Sequence, residues 1–123
     1  MKDIESREDI QLLVDTFYTY VQQNKGLDAI FNGFAQVDWE THLPKMYDFW
    51  ETILFHKNLY KGAPMPIHVK MSRETSFTKE NFADWVKLFK GTVDELFEGQ
   101  NALTIKTRAE SIAMVMQMKV KMS

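Results

Sequence analysis

The stretch Trp39-Glu40-Thr41-His42-Leu43-Pro44-Lys45-Met46-Tyr47-Asp48-Phe49-Trp50 is the most informative in the chain. At about 100° per residue, His42, Met46, Phe49 and Ile53 fall on one helical stripe, with Trp39, Leu43 and Trp50 beside it. A histidine is thereby aimed inward with the apolar face. The helix is expected to begin near Trp39 under an Asp38 cap and to run out near Tyr60; Pro44 requires either a place within the first turn or so or a bend. Beyond it, Lys61-Gly62-Ala63-Pro64-Met65-Pro66 is rich in breakers and leads to His68, two residues after a proline suited to the first position of a new helix. Two histidines therefore flank a helix-loop-helix junction.

Outward from this stretch the pattern stays helical. From Glu8 to about Asn24, Ile10, Leu13, Val14, Phe17, Tyr18 and Val21 follow helical spacing, with Ser6 as the N-cap and Gly26 as the closing residue. Leu27 to Phe34 is short and interrupted by Gly33, enough for a helical turn or two. The polar run from Ser72 ends in Thr78, which can cap a helix from Lys79 to Glu98 that buries Phe82, Trp85, Phe89, Val93, Leu96 and Phe97; Gly99 ends it. A final helix from about Ala102 to Val120 buries Ile105, Ala109, Ile112, Ala113, Met116 and Val120. No segment sustains two-residue alternation and no repeat is present, so the fold class is all-α.

Composition narrows the function. A chain of 123 residues is read as one domain, residues 1–123. Its 15 basic and 17 acidic residues are interspersed, so phosphate-backbone binding has no electrostatic support and nucleic acid is not expected as a partner. No apolar run reaches the length of a signal peptide or membrane span, and a cytoplasmic protein without a membrane partner is expected. The absence of cysteine excludes disulfides, thiolate metal sites and covalent haem attachment through Cys-x-x-Cys-His. Nine Phe, four Tyr, three Trp and eight Met supply enough bulk to fill a core or to line a flat apolar cavity.

Taken together, Phe17-Tyr18, the Trp39 to Trp50 stretch, Tyr60-Lys61-Gly62-Ala63-Pro64 with His68, and Phe82-Ala83-Asp84-Trp85-Val86-Lys87-Leu88-Phe89 resemble the truncated haemoglobins, most closely their third group. The order and spacing of these weak motifs carry the resemblance, which spans nearly the whole chain. The double-glycine motifs of the other truncated groups are missing, as in the third group. The resemblance implies a two-on-two helical sandwich around non-covalently bound haem b, with His68 as proximal iron ligand and Tyr18, His42 and Trp85 on the distal side. It implies a dioxygen or other diatomic ligand at ferrous iron, and redox or detoxification chemistry with an unidentified reductase in place of bulk transport.

Within that frame Tyr18 and Trp85 supply donors toward an oxygen atom that gains negative charge on binding, or else are core aromatics whose polar tips find backbone partners. His42 has three roles open: to gate the entrance, to donate to the ligand, or to ligate the iron itself, with gating first. Phe31, Phe34, Phe49, Trp50 and Phe89 would line the cavity; as a bare stripe they would be core. Met46 sits one turn beyond His42, where its flexible thioether could reach the ligand space. Lys45 and Arg73 are candidates for the haem propionates by position only. A zinc site from His42, His56 and His68 matches no zinc spacing, and His56 is read as exposed. The alternative from another class is a haem-free helical module that binds a partner or apolar ligand in the same cleft.

Overall fold

A computed structural model describes residues 1–29, 38–55 and 78–121, the side chains of 119–121 excepted. All regular structure among these residues is helical: α1 (Arg7–Gln23), α2 (Lys25–Asp28), α3 (Trp39–Phe55), α4 (Lys79–Leu96) and α5 (Gln100–Lys121). α1 packs on α3 and α4, α4 packs on α5, and α3 reaches across to α5, which gives two helices laid over two.

All six apolar positions predicted for α1 are buried, because their spacing places them on the face that meets α3 and α4. Ser6 caps the helix, its hydroxyl accepting from the Asp9 N–H. The other end departs from expectation. Asn24, not Gly26, breaks the helix: its extended backbone stops α1 while its side chain accepts from the Leu27 N–H and starts α2, which contains Gly26. Leu27, delivered by that sharp restart, is fully buried.

Asp38 opens α3, its carbonyl accepting from the Thr41 and His42 N–H groups and its carboxylate from the Thr41 hydroxyl. Pro44 lies inside the helix, a turn beyond its start, where it denies the Glu40 carbonyl an intrahelical donor. Glu51 is buried on this helix. It accepts from Arg7 at 2.6 Å, and the same guanidinium donates to Asp48 at 2.8 Å, so the start of α1 is tied to the middle of α3. The two carboxylates raise the Arg7 pKa, Glu51 the more. The Arg7 guanidinium also lies over the Tyr47 ring, whose hydroxyl donates to Asp15 of α1.

Thr78 caps α4 in a reciprocal box with Asn81, as its place in the sequence predicts. α4 ends at Leu96, two residues short of the predicted Glu98; Phe97 is buried as expected but on extended backbone past the helix. α5 begins at Gln100, two residues early, so Gly99 opens α5 and does not end α4. The cause lies at the other end of the chain. Asp3 accepts from the Asn101 and Ala102 N–H groups at 2.9 Å, and Asn101 donates to the Ile4 carbonyl at 2.7 Å. Gly99 has φ of 143°, and a Cβ there would come within 2.5 Å of the Asp3 side chain. Burial opposes the Asp3 charge, but the Asn101, Ala102 and Ile4 N–H groups, with Lys2, outweigh it and hold the carboxyl below the usual range.

Asp3→Ala is therefore expected to cost about 1 kcal/mol, the ordinary worth of a helix cap, and to lower Tm by ~3–6 °C in a thermal melt at neutral pH. The folded carboxyl is the stronger acid, so the stabilisation is present above the unfolded pKa and fades as pH falls through the folded one. The melts of the two proteins should converge in strong acid; an Asp3→Ala melt equal to wild type at pH 7 would remove the cap from the account.

Candidate functional site

Where α1, α3 and α4 meet, one aromatic cluster spans the interior. Phe17 stands edge-on to Phe89 (5.1 Å, 80°) and Trp85 (5.6 Å, 87°); Trp85 and Phe89, one turn apart on α4, stack at 5.8 Å, and Trp50 stacks on Phe89 at 5.2 Å. These contacts follow from sequence periods: Phe17 from the inward stripe of α1, Trp85 and Phe89 from an i, i+4 pair, Trp50 from beside the α3 stripe.

Beside the cluster lies a cavity of about 350 Å³ with an almost wholly apolar wall. Tyr18, Met46, Phe49, Trp50, Trp85 and Phe89, all singled out from sequence, line it. The α5 side is new: Arg108, Ser111, Ile112 and Val115 also face the cavity, although only Ile112 was expected to turn inward. Their spacing, i, i+3, i+4 and i+7, is a helical stripe, but two of its four members are polar and so escape a search for apolar periodicity. Lys45 is exposed and does not line the cavity. His68, His56, Phe31, Phe34 and Arg73 lie outside the described residues.

Tyr18 is a buried polar group on the cavity wall. Its ring is buried, packed against Phe17 at 4.9 Å and Trp39 at 5.0 Å, and its hydroxyl lies 3.3 Å from His42 Nε2. Burial pushes the phenol pKa far upward, so it stays protonated and keeps a hydrogen to donate. His42 stands outside the cavity lining, edge-on to Tyr18 (5.4 Å) and Trp39 (5.7 Å). Its pKa is lowered, first by burial and then by the charge of Lys45, so the ring is neutral at neutral pH. A phenol and a neutral imidazole thus share one hydrogen bond, its direction set by the imidazole tautomer.

This donor set suits a flat apolar macrocycle: aromatic faces line the space, a protonated phenol borders it, and no buried carboxylate lines the cavity among the described residues. Among the same residues no cluster of His, Asp and Glu suits a metal ion, and no helix is long and apolar enough to cross a membrane.

No protein-family model matches the chain. Over 111 residues it is 31% identical to the group 3 truncated haemoglobin ctb of Campylobacter jejuni, a match covering 88% of this chain and 85% of that one. The crystal structure of the group III truncated haemoglobin from Campylobacter jejuni superposes with a TM-score of 0.84 at 30% identity, covering 98% of this chain and 95% of the other. That likeness in sequence and in helix arrangement, over nearly the full length of both chains, places this protein in the family of group 3 truncated haemoglobins.

Proposed function

We propose that the protein is a single-domain globin that binds haem b non-covalently and takes up dioxygen or another diatomic ligand at ferrous iron, with His68 as the proximal ligand and Tyr18, His42 and Trp85 on the distal side. The observation that carries this reading is Tyr18, a buried and protonated phenol on the wall of an aromatic cavity inside a truncated globin fold. Haem supplies the iron at which the diatomic binds. The chain supplies the rest. Phe49, Trp50 and Phe89 exclude water and offer flat contact, with Phe31 and Phe34 added from outside the described residues. Met46 borders the ligand space with an adaptable thioether. Lys45 and Arg73 are candidates for the propionates by their position in the sequence.

Tyr18 and the Trp85 indole donate toward the ligand as it gains negative charge, which slows its escape and polarises its bond. Prolonged retention suits redox or detoxification chemistry on oxygen, nitric oxide or peroxide better than transport, with a reductase as the electron source and with neither nucleic acid nor a membrane as partner. The reading is tested by the absorption spectrum. A Soret band in the purified, haemin-reconstituted protein supports it; its absence assigns the cleft to a haem-free helical module.

His42 we assign first to gating. Swinging outward means leaving the Tyr18 hydroxyl, and a charged ring gains most from water, so protonation favours the open position. Because burial and Lys45 lower the pKa, opening is expected below the ordinary value of ~6.5 and not at it. In laser-flash rebinding from pH 8 down to 5, the wild-type carbon monoxide association rate should rise toward the acid end, while His42→Ala should be faster throughout and flat with pH. Equal, pH-independent rates for both proteins would end the gating role.

A further inference from the structure

α3 is fastened unevenly along its length. The residues that it buries, Met46, Trp50, Glu51 and Leu54, all lie beyond Pro44. Polar contacts tie the same part to α1: Arg7 donates to Glu51 at 2.6 Å and to Asp48 at 2.8 Å, and the Tyr47 hydroxyl donates to Asp15. Ahead of Pro44, the turn from Trp39 to Leu43 is exposed or only partly buried. Two of its side chains rest on one residue of α1, the Trp39 ring 5.0 Å from that of Tyr18 and His42 Nε2 3.3 Å from the same phenol. Between the two parts Pro44 supplies no N–H, so the Glu40 carbonyl lacks its helical donor. The residue before a proline also prefers extended backbone, which lowers the cost of unwinding at Leu43. Few buried groups and a missing bond are what mark a segment that opens locally.

We propose that the gate is the whole first turn of α3: Trp39 to Leu43 lift from Tyr18 as one flap hinged at Pro44, carrying His42 outward, while Arg7 and Asp15 hold the helix from Met46 onward on α1. The flap rests on the gating role assigned to His42 and changes what moves. An imidazole swinging alone leaves Trp39 on the Tyr18 ring; the flap takes both away and uncovers the buried phenol on the cavity wall. Pro44, which does not line the cavity, is then a positioning residue that acts through His42. A lifted single turn has too few bonds to persist and frays, so the Thr41 and His42 N–H groups, which donate to the Asp38 carbonyl at 3.2 and 2.8 Å in the closed form, exchange with solvent each time it opens.

The test combines amide hydrogen exchange, resolved by residue in the haem-loaded ferrous protein with carbon monoxide bound, with carbon monoxide association after a laser flash, both at neutral pH. Pro44→Ala returns a donor to the Glu40 carbonyl. It should slow exchange at Thr41 and His42 and slow association by a similar factor, about fivefold, the worth of one helical hydrogen bond, while exchange from Trp50 to Leu54 stays as in wild type. Trp39→Ala, which loosens the flap from Tyr18, should speed both. Slower exchange in Pro44→Ala with association equal to wild type, alongside faster association in His42→Ala, would overturn the flap and leave His42 as a side-chain gate. Association unchanged in His42→Ala would end the gating role itself and the flap with it.

Discussion

Replacing His68 by alanine is expected to abolish stable haem incorporation while leaving most of the helical content in place. On the proposed assignment His68 would supply the one bond from the chain to the haem iron, with Tyr18, His42 and Trp85 assigned to the opposite face. The helices have independent support. Phe17, Phe89, Val93 and Ile105 on α1, α4 and α5 are fully buried, and Arg7 fastens α1 to α3. Haem content per chain, read from the Soret band, should therefore collapse while the far-ultraviolet circular dichroism changes little. Full haem loading with an unaltered ferrous spectrum would move the axial ligand to another residue.

Tyr18→Phe should raise the oxygen dissociation rate roughly tenfold or more, equivalent to about 1.4 kcal/mol of lost retention. The ring is packed by Phe17 and Trp39, so phenylalanine keeps the shape and removes the donor alone. Because the phenol also meets His42, the substitution removes that contact of the imidazole as well, and the two effects have to be separated. Carbon monoxide accepts hydrogen bonds poorly: a large rise in the oxygen off-rate with little change for carbon monoxide isolates the donor, whereas equal changes in both report altered access. Stopped-flow rates unchanged for oxygen would return Tyr18 to the core. Trp85→Phe should act in the same direction and more weakly, since the indole also stacks on Phe89.

The elements most legible in the sequence are those whose determinants are local. The inward stripe of α1 and the Thr78 cap of α4 could be placed residue by residue, because spacing and capping act within a few positions. Local signals failed where one residue serves two elements or where the partner is remote. Gly26 looks like a helix terminator by propensity, but Asn24 both ends α1 and starts α2, and its side-chain bond to Leu27 settles the boundary. The early start of α5 depends on Asp3, 98 residues from Asn101. At the candidate site, Tyr18 and Trp85 emerge from apolar periodicity because aromatic rings belong to the buried stripe. Arg108 and Ser111 do not, since polar residues on an exposed helix turn carry no signal until a cavity is found beneath them. Glu51 was hidden for a related reason: a carboxylate on a helix reads as solvated unless Arg7, 44 residues away, is known to meet it.

The clasp between Asp3 and the start of α5 also bears on when the molecule can become native. During synthesis Asp3 leaves the ribosome long before Asn101 and Ala102 are made, and α1, α3 and α4 can assemble in the meantime without it. The last helix then has to be received by the first residues of the chain, a contact with the high sequence separation that slows folding. An amino-terminal extension before Met1, which is 76% exposed, leaves that reception intact, whereas trimming through Ile4 removes both the carboxylate and a fully buried side chain. Nascent chains lacking those four residues should consequently dwell longer with α5 undocked, exposed to proteases at the very step that completes the fold.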